Sequence, residues 1–73
     1  MRKYQVQNLK HGLYKVYWNN GGTSLASIGS YPSGNRWLMC CNWVSFMPEN
    51  LYEQIWGRVD SVTLISEDSD DYD

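Results

Sequence analysis

The chain has 73 residues, of which 42% are hydrophobic and 15% aromatic, and its net charge is −2. That length holds one domain, and a domain so small is marginally stable unless bulky side chains fill its core, each aromatic burying roughly 150–250 Å². The composition argues against a disordered chain, no apolar run nears the roughly 18 residues that span a membrane, and the charge gives no dense basic stripe for nucleic acid.

Residues 3–9 place Tyr4 and Val6 two apart between polar neighbours, a period that predicts a half-buried strand. Lys10-His11-Gly12 reads as a turn. Leu13-Tyr14-Lys15-Val16-Tyr17-Trp18 is the clearest strand, with Tyr14, Val16 and Trp18 on one face and Lys15 and Tyr17 on the other. Asn19-Asn20-Gly21-Gly22 follows at once. Asn and Gly tolerate the positive φ of tight hairpin turns, so Thr23–Ile28 is the return strand. Its small residues leave room for a large neighbour. A Pro/Gly/Asn loop over 29–35 leads into Arg36–Val44. Both faces of that strand are largely apolar, which predicts a central position.

From Ser45 the pattern changes. Pro48 and Glu49 suit the start of a helix, and Leu51 and Ile55, like Tyr52 and Trp56, are four apart. One or two turns fit before Gly57. Asp60–Ile65 is a last strand. The expected fold is therefore mainly β: a curled antiparallel sheet or SH3-like barrel of about five strands, with one short helix before the last strand. Residues 1–66 form a single small domain in this reading, and residues 67–73 a disordered acidic tail.

Charge divides at the same boundary. Residues 1–66 carry six Lys/Arg against three acids, whereas Glu67, Asp68, Asp70, Asp71 and Asp73 crowd the last seven positions without a cation. The tail reads as a solubilising end, with docking on a basic surface as its functional alternative. No signal core follows the basic N-terminus, so a soluble cytoplasmic protein with no membrane contact is expected.

The inventory for chemistry is poor. His11 is the sole histidine and falls in a turn, and Glu49, Glu53 and Asp60 are the only carboxylates before residue 67. None of the common nucleophile, phosphate-loop or metal-ligand spacings occurs. Cys40 and Cys41 are adjacent, which disfavours a disulfide between them, and two thiols are too few for structural zinc. They read as reduced thiols, at least one of them packed as a small apolar group. No enzyme, cofactor or metal is expected.

Eleven aromatics exceed what so small a core needs, and exposed aromatics and Arg dominate binding energy at interfaces. Tyr17, Tyr31, Arg36 and Trp56 are the expected partner contacts: Tyr17 faces away from the core stripe, and Tyr31 lies in a loop of the kind that carries binding residues. Two alternatives remain open. Aromatics beside Arg2, Lys3, Lys10, Lys15 and Arg36 would suit single-stranded nucleic acid. An exposed sheet edge would suit a structural or self-assembling subunit.

The stretch from His11 to Trp43 resembles small accessory proteins of tailed bacteriophages that interact with host proteins. His11–Trp18, Gly22–Gly29, Gly34-Asn35-Arg36-Trp37 and Asn42-Trp43 carry the resemblance, while Met39-Cys40-Cys41 and the segment after Trp43 carry no family motif. The resemblance implies a protein of the host cytoplasm that binds one host protein and inhibits or redirects it. A polymerase, a nuclease, a defence complex or a division protein would be a target of that class.

Overall fold

The computed structural model describes residues 1–68. Its elements in chain order are α1 (Lys3–Gln7), β1 (Gly12–Trp18), β2 (Thr23–Ser30), β3 (Arg36–Cys40), a 3₁₀ turn (Glu49–Leu51), α2 (Tyr52–Gly57) and β4 (Val59–Glu67). The four strands form one antiparallel sheet in the order β3-β2-β1-β4. The sheet is open. The structure thus bears out the mainly β class and the helix before the last strand, and corrects the fifth strand and the barrel.

The β1–β2 hairpin follows from local chemistry. Trp18 donates its N–H to Gly22 O at 2.9 Å, Gly21 donates to Trp18 O at 3.0 Å, and Gly21 takes the positive φ of 89° that the turn requires. β2 and β3 form a second hairpin, closed where Tyr31 N–H reaches Asn35 O at 2.8 Å. The chain then crosses to the far side of β1, carrying the 3₁₀ turn and α2, and enters β4 antiparallel to β1.

Among the described residues, one sheet face carries the core. Tyr14, Val16, Ala26, Ile28, Leu38 and Cys40 point inward and are buried with Val6, Tyr31, Met47, Trp56 and Val59. The sheet does not curl shut because helical and loop side chains, not a second run of strand, fill the space over this face. Removing such side chains from water is the main favourable term in folding the chain.

Residues 3–9 do not form a strand. Lys3–Gln7 is a single helical turn in which Val6 is buried and Tyr4 is exposed, so the two residues do not share a face. The Gln5 side chain accepts from Arg2 N–H at 3.0 Å, closing the first turn. A helix this short has no stability of its own. It is held by Val6 in the core, by the Met1 ammonium donating to Trp56 O and Val59 O, and by Arg36 on its last carbonyls. A two-residue apolar spacing over seven positions is also met by one residue docked from a helix, which is why the periodicity misleads here.

β3 ends at Cys40, four residues before the strand expected to reach Val44, and it lies at an edge of the sheet. The chain turns at Cys41 and Asn42 and runs back beside β3. Cys41 N–H reaches Leu25 O at one end, and Phe46 packs on Trp37 and Tyr31 at the other. Leu38 and Cys40 are apolar because they face the core, and Trp37 on the other face takes Phe46 from the returning segment. β4 extends beyond Ile65: Ser66 pairs with Leu13, Glu67 with Gly12, and Asp68 N–H donates to His11 O at 2.9 Å. Ladder bonds to β1 thus hold Glu67, which the charge pattern assigned to the tail. Asp70, Asp71 and Asp73 lie outside the described residues.

Candidate functional site

Alternation along the strands leaves the second sheet face open. Leu13, Lys15 and Tyr17 of β1, Leu25 and Ser27 of β2, Trp37 and Met39 of β3, and Ser61 and Thr63 of β4 point to it. The cross-strand rows are Ser66–Leu13–Ser27–Met39 and Thr63–Lys15–Leu25, with Trp37 opposite Gly29. Among the described residues no helix or loop lies over the centre of this face. Leu25 retains 48% of its surface, as does Phe46 at the β3 margin.

Aromatic geometry organises the face. The Trp37 indole lies over Gly29, filling the volume that a side chain there would occupy. Phe46 meets Trp37 edge-on, with ring centres 5.1 Å apart and planes at 65°, and meets Tyr31 at 5.8 Å and 86°. At the other end, Lys15 Nζ sits 5.4 Å from the centre of the Tyr17 ring, a cation–π contact at an exposed site. Lys15 is the single charged side chain among the described strand residues on this face.

The four residues expected to contact a partner do not lie together. Tyr17 is on the open face, as its parity required. Trp56 is buried on the opposite side of the sheet, where its Nε1–H donates to Arg36 O at 2.9 Å. Tyr31 is also buried, and its hydroxyl donates to Met47 O at 2.7 Å, holding the returning segment in place. Burial pushes that phenol above its ordinary pKa, and the nearby Glu49 carboxylate adds to the effect. Arg36 spends its guanidinium on backbone: Nε on Leu9 O, Nη2 on Gln7 O and Nη1 on Gly34 O, at 2.8–3.1 Å. A cation at the end of α1 answers the unpaired carbonyls of that turn.

Leu13, Leu25, Trp37, Met39 and Phe46 were not among the expected contacts. Strand parity signals the first four, since Tyr14 and Val16 inside put Leu13 and Tyr17 outside, and the hairpin carries this parity to β2. Nothing local signals Phe46, which arrives from a loop.

His11 and Glu49 are engaged in structure. His11 is exposed, with Nε2 2.6 Å from Ser30 Oγ. The Glu49 carboxylate accepts from Ser33 Oγ and from Asn35 Nδ2, fastening the β2–β3 loop to the 3₁₀ turn. Cys40 is a buried free thiol whose pKa burial raises, and Cys41 is exposed. Among the described residues no three His, Cys, Asp or Glu side chains are placed to hold a metal ion, and no helix is long and apolar enough to cross a membrane. No protein-family model, no curated protein and no solved structure matches the chain.

Proposed function

We propose that this domain is a protein-binding module whose contact surface is the open sheet face centred on Leu13, Leu25, Trp37 and Tyr17, and that it acts by binding, not by catalysis. The supporting observation is that face itself: exposed Leu25 and Phe46 with half-buried Leu13, Tyr17, Trp37 and Met39, set among Ser27, Ser61 and Thr63, with one charge, Lys15, and no cover over its centre among the described residues. Small soluble domains rarely expose such a patch without a partner for it, and aromatic anchors carry most of the energy of interfaces. A single cation gives little counterion release, which makes a phosphate backbone the weaker occupant. The partner as a host protein of a phage-encoded inhibitor rests on the His11–Trp43 resemblance alone.

The test is affinity purification from bacterial lysate with the wild-type chain and with Leu25→Glu as bait. One protein enriched in stoichiometric amount by the wild type and lost with Leu25→Glu supports the reading. Equal enrichment by both baits, or none by either, overturns it.

A further inference from the structure

Five consecutive carbonyls run through the junction between α2 and β4, and each accepts a hydrogen bond. Ile55 O accepts from Arg58 N–H at 3.0 Å. Gly57 O accepts from the Asn19 side-chain amide and Arg58 O from Asn19 N–H, at 3.0 and 2.9 Å. Trp56 O and Val59 O accept from the α-ammonium of Met1, at 2.9 and 2.5 Å. Backbone carbonyls that leave water need a donor, and an ionised donor makes a bond roughly twice as strong as a neutral one.

The same nitrogen lies at the start of α1. Gln5 and Val6 N–H both return to Arg2 O, one residue along, at 3.0 and 3.1 Å. Arg36 holds the carbonyls at the other end, so α1 is fastened by Met1 at its first turn and by Arg36 at its last. Buried Val6 and Trp56 line a cavity of about 190 Å³ between α1 and α2, with half-buried Met1 and Tyr52 and exposed Lys3 and Glu53 also around it. Two acceptors on one nitrogen require at least two N–H groups. An amide nitrogen has one, bears no charge, and brings a planar acyl group into a partly buried junction.

We propose that the Met1 nitrogen is a covalent switch for α1. Free, it locks the first turn of α1 to the α2–β4 junction; acylated, it releases that turn and uncovers Val6 and Trp56. A formyl group is the smallest acyl cap that holds the switch open. Hydrolysis closes it: the formyl carbon–nitrogen bond breaks, the oxygen of water leaves on formate, and the nitrogen returns as ammonium with its donors restored. The released unit is small because the two hairpins have their own hydrogen bonds, and local openings of this kind cost less than global unfolding. The switch lies on the core side of the sheet and does not rest on a partner for the open face.

Three forms of the 73-residue chain, assembled by chemical ligation at Cys40, test this. One has a free Met1 nitrogen and one carries N-formyl. The third keeps the Met1 side chain but has hydrogen in place of the amino group, which removes the donors without adding bulk. Both altered chains are expected to melt about 5 °C or more below the free chain, and their Val6 amide to exchange about tenfold or more faster. Trp18 and Tyr31 N–H, which close the two hairpins, are expected to keep their protection. Treating the formyl chain with a peptide deformylase is expected to restore both values. A formyl chain that matches the free chain overturns the proposal. A deaminated chain that matches it does the same, since the donors then contribute nothing. Protection lost at Trp18 and Tyr31 as much as at Val6 also overturns it, because the nitrogen then governs the whole fold and not α1. So does a deformylated chain that fails to recover.

Discussion

Trp37 and Gly29 face each other across the β2–β3 pair, and the indole occupies the space where any other residue at position 29 would place its Cβ. The arrangement lets a large ring lie close to the sheet while its outer surface stays available. Gly29→Ala is expected to push the indole off the sheet and to cost about 1–3 kcal/mol, the range for forcing extra volume into a packed contact. Denaturant unfolding followed by Trp fluorescence measures both the cost and the ring's new surroundings. An unchanged midpoint would mean the ring moves aside freely.

Tyr17 and Trp56 respond in opposite ways to truncation. Tyr17→Ala is expected to weaken partner capture while costing about 1 kcal/mol of stability, since its ring is half-buried on the open face. Trp56→Ala removes a buried ring and is expected to cost about 3–5 kcal/mol. The whole chain is held by roughly 4–11 kcal/mol on a per-residue basis, so that variant populates unfolded forms at physiological temperature. Thermal melts by circular dichroism, run beside the binding assay, separate the two effects.

Arg36→Ala frees the Gln7, Leu9 and Gly34 carbonyls together and is expected to detach α1 before the sheet melts. Hydrogen bonds from a charged donor contribute about 1.5–3 kcal/mol each in favourable settings, and partial exposure brings the total below their sum. Arg36→Lys supplies one point charge where three directed donors stood, so it is expected to rescue the loss only in part. Amide hydrogen exchange at Val6 and Leu9 reports α1 directly. Protection there that matches the wild type would show that Val6 burial alone suffices.

Alkaline pH is expected to destabilise the fold through Tyr14, Tyr31 and Cys40. Burial is the leading cause in all three cases, and it raises each group above its usual value of 10.0 for Tyr and 9.0 for Cys. The folded state therefore holds these protons more tightly than the unfolded chain. Their contribution is fully present below the unfolded values and is lost as pH rises through the folded ones, so the decline begins near pH 9 with Cys40 and steepens above pH 10 with the two tyrosines. Urea midpoints between neutral pH and pH 11 trace the curve. Tyr31→Phe is expected to flatten its upper part, at the cost of the bond to Met47 O.

Sequence alone determined the features that depend on near neighbours. The Asn-Asn-Gly-Gly turn forms its own hydrogen bonds, and the Tyr14/Val16/Trp18 stripe fixes which face of β1 is buried, so the hairpin, the helix before β4 and the outward aim of Lys15 and Tyr17 were all legible. What tertiary structure decided is which aromatic ring is covered and by what. Tyr31 and Trp56 look like surface residues until Met47 and the β3 backbone arrive from positions distant in the chain. Arg36 looks like a free cation until α1 brings its last carbonyls beside it. Lys3–Gln7 reads as a strand because its one buried residue satisfies either period, and the choice is made by contacts to Trp56, Val59 and Arg36 that local propensity does not contain. Hydrogen bonds within a turn are specified by a few consecutive residues, whereas burial is a property of two surfaces meeting, and the second surface is absent from the segment being read.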